Sequence, residues 1–348
     1  MKKLLSILAI LAILLGFAGA FVYYTPTGQD ALFKTAANAM FAGAQPVEYE
    51  GLNVIICGSA SPLGRDPDRA QACVAVVTPE HLFLFDVGAR APDRINQAQL
   101  PLTRLNGIFI THFHSDHISD IPDVNLNSWV QGRKESMQVY GPEGVARVVN
   151  GFNEAFALDQ GYRTAHHGEH MLPAEAGPMT PITINPGEIV WQDEDLTITA
   201  FLVEHPPIEP AVGYRVDYRD RSVVISGDTN ASDNLFAAAR DADLVVHDAL
   251  SRTILDQMIA VASANNVPVL PTIMQDVIDY HADAHTLYDR TMEAGVQILA
   301  FYHLVPVPLN GLAENMFLRG LPSEIILTKD LHRFEMPTGS SEVIIHEP

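Results

Sequence analysis

Short runs of Val, Ile, Leu and Phe alternate with turn residues from residue 51 onward: NVIICG, ACVAVV, LFLFDVG and GIFITH. Such runs, bounded by Gly, Asn or Asp, predict strands. MQVYGP adds another, and EGVARVVNGFNEAF after it has helical spacing. Residues 158–185, with Gly, Pro and clustered histidines, read as loop. Strand patterning resumes in LTITAFLVEH, AVGYRVDY and SVVISGDT. SDNLFAAARDA predicts a helix and DLVVHDA a strand; helical spacing follows over 251–265 and 284–294, and VQILAFYH is a last inner strand. Strands in two groups, each with helices attached, predict an α/β chain built as a four-layer αββα sandwich over residues 51–348.

The first 24 residues, MKKLLSILAILAILLGFAGAFVYY, are patterned otherwise. Lys2 and Lys3 precede an unbroken apolar run, and the small residues AGA at 18–20 offer a cleavage point. About 20 apolar residues also suffice to span a bilayer. The expectation is a signal peptide or an uncleaved N-terminal membrane anchor. Either way the lysines stay inside and the body is exported, periplasmic or anchored to the inner membrane facing outward. Residues 25–50 read as a tether with one weak helix, DALFKTAANAMF.

Charge narrows the partners. The 348 residues carry 42 acids against 21 bases, a formal net charge of −21. An acidic body repels polyanions, so nucleic acid is an unfavoured partner. Cys57 and Cys73 form no zinc-ribbon pattern. They are either two small buried side chains or, outside the cytoplasm, a disulfide.

The stretch ITHFHSDHISD, 110–120, stands where a buried strand ends. In extended backbone His112 and His114 face the same way and can meet one ion. Asp116 and His117 follow at the turn, where they can meet a neighbouring ion. Imidazole and carboxylate suit zinc. The competing reading is a polar loop of hydrogen-bonded histidines.

These residues match HxHxDH of the metallo-β-lactamase superfamily, and the chain resembles that family through further motifs. FLFDVGA is similar to its first motif, VEHPPIEPAVGYRV to its third, VVISGDT to its fourth and LAFYHLVP to its last. The resemblance implies two Zn²⁺, with Mn or Fe as substitutes. His112, His114 and His205 would hold the first, Asp116, His117 and His303 the second, and Asp228 would lie between them. Asp86 would orient a ligand histidine. Two divalent cations against Asp116, Asp228 and a hydroxide leave about one positive charge, suited to an anionic ester.

LVVHDAL and DYHADAHT resemble the HEAT and HST motifs of the ribonuclease Z and arylsulfatase-like branch, with Asp248 where the branch has Glu. In that branch the HST histidine stands 22 residues before the last ligand, the separation of His281 from His303. The resemblance therefore implies His281 as proton donor to the leaving group, oriented by Asp248. These two and Asp116 are the expected catalytic residues. The shorter Asp side chain puts the pairing distance in question. His285 reads as a helix-surface residue. Arg65 and Arg69, in a glycine-containing loop, are candidates for a substrate anion or for plain solvation. His166, His167 and His170, with Arg163, could line the pocket mouth or lie on the surface. Trp129 and Arg133 sit beyond the metal loop, with core packing the plain reading of Trp129.

The expected activity is that of a di-zinc metallohydrolase in which a bridging hydroxide attacks a small phosphate or sulfate ester, phosphodiesterase- or arylsulfatase-like. Ribonuclease Z-type processing of transfer-RNA 3′ ends is the alternative; the long Gly/Pro arm expected for it between GYR and SGDT has no room in VDYRDRSVVI. A lactonase or β-lactamase is a further alternative. Dimers are common in this branch, so a homodimer is an expectation as well.

Overall fold

The computed structural model describes residues 2–42, 47–64 and 66–348. It divides into two compact units, one ending at Val47 and the other spanning Glu48–Pro348. The first contains the helices Lys2–Tyr24 and Pro26–Ala42. Within it, Leu5–Tyr24 has a mean hydropathy of 2.7 with none of its surface buried, long and apolar enough to cross a membrane. The second helix is longer than the weak one expected in the tether, with Pro26 at its first position, where a missing N–H costs nothing.

Strands β1 (Leu52–Gly58), β2 (Cys73–Val77), β3 (Leu82–Phe85), β4 (Leu105–Phe109), β5 (Met137–Gly141) and β6 (Met179–Thr183) belong to the first sheet. Strands β7 (Ile189–Gln192), β8 (Leu196–His205), β9 (Ile208–Tyr218), β10 (Arg221–Ile225), β11 (Leu244–Leu250), β12 (Ile298–Val305) and β13 (Ile326–Leu327) form the second. The chain then returns: β14 (Arg333–Met336) and β15 (Ile344–His346) complete the first sheet in the order β15-β14-β1-β2-β3-β4-β5-β6. β12 is therefore not the last strand. The closing pair is short and half-polar, and pairing with β1 rather than an apolar pattern makes it a strand.

Side-chain alternation assigns the layers. On β1, Leu52, Val54 and Ile56 face the second sheet while Ile55 and Cys57 face outward; on β2, Val74 and Val76 face inward while Cys73, Ala75 and Val77 face outward. The inner faces meet Ile198, Val212, Tyr214, Val223 and Val246 of the second sheet. Helices supply Ala91, Ile95, Ile121, Val124 and Val145 to the outer face of the first sheet, and Leu235, Phe236, Leu287 and Phe317 to that of the second. Both faces of each sheet are covered, which is why these strands read as continuous apolar runs. The architecture is the expected αββα sandwich.

The helix Val145–His167 overturns the reading of 158–185 as loop, because it continues ten residues into that stretch. Only Val145 and Val149 of this helix are buried, and Gly151 and Gly161 weaken its local signal. Tertiary anchoring of its first turns and an Arg163–Asp159 pair one turn apart carry it onward.

Cys57 and Cys73 form a disulfide inside the outer core of the first sheet. Replacing both by alanine is expected to lower stability by about 3 kcal/mol, the loop-closure value for a bridge of this span. Denaturant midpoints of the two proteins check it; coincident midpoints would refute it.

Candidate metal centre

The parallel strands β3, β4, β10, β11 and β12 all end at one edge of the sandwich, where open α/β sheets place their ligands. Asp86 follows β3, the His112–His117 stretch follows β4, and Asp228 follows β10. Asp248 and His303 lie near the ends of β11 and β12, and His205 ends β8. Two local devices aim these side chains. Gly227 has φ +64° and leaves no space for a Cβ, which would stand 2.7 Å from Thr111 Cβ; this close turn delivers Asp228. Along β11 and β12, Asp248 pairs with Tyr302 and Ala249 with Leu304, so His303 is an extra, unpaired residue with φ +39°. A bulge of this kind turns a side chain out of the ladder and into the site.

Two donor groups result. His112, His114, His205 and Asp228 bring one atom each within 4.8 Å of one another, and so do Asp116, His117, Asp228 and His303. Asp228 belongs to both. His114 Nδ1 lies 3.0 Å from His112 Nε2 and 3.3 Å from His205 Nε2. His117 Nε2 is 3.2 Å from Asp228, and His303 Nε2 is 3.0 Å from Asp116. His303 Nδ1 and Asp228 Oδ1 stand 3.2 Å apart, yet neither has a hydrogen bond.

The outer nitrogens fix the rings. His117 Nδ1 is 2.8 Å from Asp86, His205 Nδ1 3.0 Å from the Tyr280 carbonyl, and His112 Nδ1 3.1 Å from Thr111 Oγ1. Thr111 holds Asp86 in turn, through its N–H at 2.9 Å and its hydroxyl at 2.8 Å. His205, donating from Nδ1 to that carbonyl, turns a lone pair of Nε2 toward His114. Converging lone pairs of this kind, beside the unpartnered Asp228 and His303 atoms, fit divalent cations better than a self-satisfied polar loop. The nitrogen and carboxylate set suits zinc and also admits manganese or iron.

Electrostatics differ between the groups. Burial pushes His112, His114 and His205 below the usual histidine range. Burial also opposes a charge on His117, but Asp228, Asp86 and Asp116 outweigh it and raise this histidine well above that range. Burial would raise Asp116, but His117 and His303 hold it at about 2. Burial likewise opposes charge on Asp228, yet His117, His303 and His281 keep it well below the carboxylate range. At neutral pH the first group therefore offers free lone pairs, whereas a cation in the second must displace the proton of His117. Uptake of the first equivalent of zinc is expected to persist to lower pH than uptake of the second. Zinc titrations against a competing chelator over a series of pH values check this; identical pH dependence of the two equivalents would refute it.

Beside the centre, His281 Nδ1 lies 2.9 Å from Asp248 Oδ2, and its Nε2 faces the site 4.0 Å from Asp228. The shorter Asp side chain thus reaches. Asp248 is fully buried and also meets His247 Nδ1 at 2.9 Å and the Thr229 N–H at 3.3 Å. A cavity of about 380 Å³ opens over His114, Asp116, Asp228, His281 and His303.

The remaining candidates fall elsewhere. Arg69 is buried, donates to Ser59 Oγ at 2.8 Å and the Thr328 carbonyl at 2.7 Å and pairs with Asp66 and Glu314, so it ties the first loop to the C-terminal part of the chain rather than lining the cavity. Arg65 lies outside the described residues. Trp129 is buried against Leu172 and Ala176, and Arg133 braces the same region through Asn125 and Ser128. His166 and His167 at the end of the helix Val145–His167 and His170 in the turn after it are exposed and line no part of this cavity. His285 is exposed, its Nε2 3.1 Å from the Arg319 carbonyl. Thr111, His247 and the Tyr280 carbonyl lie within the quoted motif stretches but were not singled out there, since each acts through a neighbour: Thr111 on Asp86 and His112, His247 on Asp248, and the Tyr280 carbonyl on His205.

The model of the β-lactamase superfamily domain matches residues 83–298. The chain belongs to this superfamily. Proteins named ribonuclease Z are similar over nearly their whole length. That of Mycobacterium sp. (strain KMS) is 31% identical over 293 residues, covering 83% of this chain and 97% of that protein. That of Mycobacterium bovis (strain BCG / Pasteur 1173P2) is 30% identical, covering 82% and 98%. In fold the chain resembles the short form of human tRNase Z, with TM-score 0.58, 19% identity, and 82% and 99% covered. It also resembles the metallo-β-lactamase fold protein YhfI from Bacillus subtilis, with TM-score 0.57, 16% identity, and 82% and 100% covered. This superfamily member is a metal-dependent hydrolase with ribonuclease Z homologues.

Proposed function

We propose that this hydrolase is a di-zinc phosphodiesterase of the ribonuclease Z type, exported and either released or held by its N-terminal helix. The observation that carries the reaction is the His281–Asp248 pair beside two donor groups that share Asp228. His112, His114 and His205 would hold one ion, Asp116, His117 and His303 the other, with Asp228 between. Bound there, the pair supplies a water deprotonated near neutral pH and positive charge for the developing anion. His281 Nε2 gives its proton to the departing oxygen, while Asp248 holds the ring by Nδ1 and favours its charged form. Asp86 and Thr111 keep His117 aimed.

Two substrates suit this chemistry. The mycobacterial relatives carry the name ribonuclease Z, which supports cleavage of transfer-RNA 3′ ends and weighs against the expectation that nucleic acid is no partner. β9 and β10 are joined by the two residues Arg219 and Asp220, with no arm between them. That does not set this chain apart, because the relatives align over 97% of their length with little left for an arm. A small anionic ester is favoured by a different observation: among the described residues lining the cavity, none is Lys or Arg. Side-by-side assays with a transfer-RNA precursor, an aryl phosphodiester, an aryl sulfate and a lactone decide. Metal-dependent cleavage confined to the sulfate or lactone would end the phosphodiesterase reading.

Export is supported by the apolar helix Leu5–Tyr24 and by a disulfide of the kind oxidising compartments preserve. Cell fractionation tests it, and recovery of reduced protein in the cytosol would oppose it. The homodimer expected of the branch is open to sedimentation analysis.

A further inference from the structure

The cavity over the centre has two unlike walls. One is the polar edge formed by His114, Asp116, Asp228 and His303; the other is built from Leu63, Leu270, Ile273, Val277 and Val305. Leu270, Ile273 and Val277 recur at the spacing of one helix face, on the helix Leu270–Asp276 and the turn after it. Val277 and Val305 root this wall in a small core of their own with Leu250, Leu255 and Met274. Leu270 and Ile273, by contrast, remain 39% and 46% exposed while facing the cavity. Val269, just before them, is held at φ +66°, a strained backbone for a β-branched residue. A pocket of mostly apolar lining with a few convergent polar groups is built for a ligand of matching character.

The wall is continuous in sequence with the acid. Leu270 leads through Ile273 and Val277 to Tyr280 and His281. The group that leaves with the proton of His281 therefore rests against this wall. A polynucleotide leaving group would need cations for its phosphates, and among the described residues lining the cavity none is Lys or Arg.

We propose that the leaving alcohol of the substrate is apolar, an alkylated aryl or long alkyl group seated on Leu270, Ile273 and Val277. This rests on the phosphodiesterase reading for its chemistry. In the step, the oxygen of water bonds to phosphorus and the bond from phosphorus to the leaving oxygen breaks. The proton of His281 Nε2 passes to that oxygen; one proton of the water stays with the new phosphomonoester, the other passes to solvent, and solvent reprotonates His281, so the products are a phosphomonoester and the apolar alcohol.

The test compares methyl phenyl phosphate, methyl 4-butylphenyl phosphate and the dinucleotide uridylyl-adenosine as substrates of the zinc-loaded full chain. Phenol and 4-butylphenol are compared by calorimetric binding. The two phenols ionise alike, so the butyl group reports the wall alone. Each methylene taken from water is worth about fourfold, and a half-covered butyl chain is expected to raise kcat/KM and alcohol affinity about tenfold. Ile273→Asn should reduce both ratios toward one at unchanged zinc content. Equal kcat/KM for the two aryl esters with equal binding of the two phenols overturns the wall and leaves the phosphodiesterase reading standing. Faster cleavage of the dinucleotide than of either aryl ester overturns it too. If no diester is cleaved, yet 4-butylphenol binds about tenfold tighter than phenol and Ile273→Asn removes the difference, the wall stands and the phosphodiesterase reading fails.

Discussion

Asp228→Ala is expected to strip the protein of both metal equivalents and to lower kcat/KM by about 10⁴-fold or more, to the level of adventitious hydrolysis. Asp228 is the one side chain shared by both donor groups, so its loss is felt twice. It also leaves His117 Nε2 facing Asp116 alone at 3.5 Å, and removes the negative charge 3.2 Å from His303 and 4.0 Å from His281. Asp86→Ala provides the contrast. It removes no expected ligand, only the carboxylate that holds His117 Nδ1 and accepts from the Thr111 N–H and hydroxyl, and should weaken metal affinity by about 10- to 100-fold while leaving the activity recoverable with excess zinc. Elemental analysis of both variants, with circular dichroism to establish folding, is the check. An Asp228→Ala protein that folds, keeps two zinc ions and turns over substrate would refute the shared-carboxylate arrangement.

His281→Ala should act on kcat rather than on metal content. General-acid assistance contributes about 10²- to 10⁴-fold, and the full loss should appear with alcohols that leave poorly. With nitrophenolate, which departs unaided, the loss should shrink toward tenfold or less. Asp248→Asn should give a similar pattern, because an amide can donate to His281 Nδ1 and turn the ring to the wrong tautomer. It must also re-accommodate His247 and the Thr229 N–H, both of which point at the same carboxyl group. The double variant should be little worse than either single one, since the two residues act as one unit. Leaving-group series measured on the three variants decide. Equal losses for good and poor leaving groups would remove His281 from the role of acid.

Much of the site was legible before any coordinates because its residues stand at strand ends in short motifs. His112, His114, Asp116 and His117 fall within six positions, and SGDT marks its own turn by the glycine. A motif carries residue type and spacing together, and a buried strand on one side gives it direction. Arg69 shows the limit. In sequence it is a loop cation before a chemically rich region; in the fold it is buried across from Thr328, 259 residues away. The helix Val145–His167 shows another limit, since its length depends on anchoring at one end rather than on apolar spacing along it.

The order of apolar runs, the charge of the body, the N-terminal apolar segment and the motif residues are local properties. They follow from side-chain chemistry and the two- or 3.6-residue repeat of the backbone. The pairing of Cys57 with Cys73, the bulge that turns out His303, the reach of Asp248 to His281 and the apolar wall beside them are different in kind. Each depends on how segments apart in the chain pair within a sheet or pack onto it, as Cys57 and Cys73 do on neighbouring strands and His303 does opposite β11, and only the tertiary structure sets those distances.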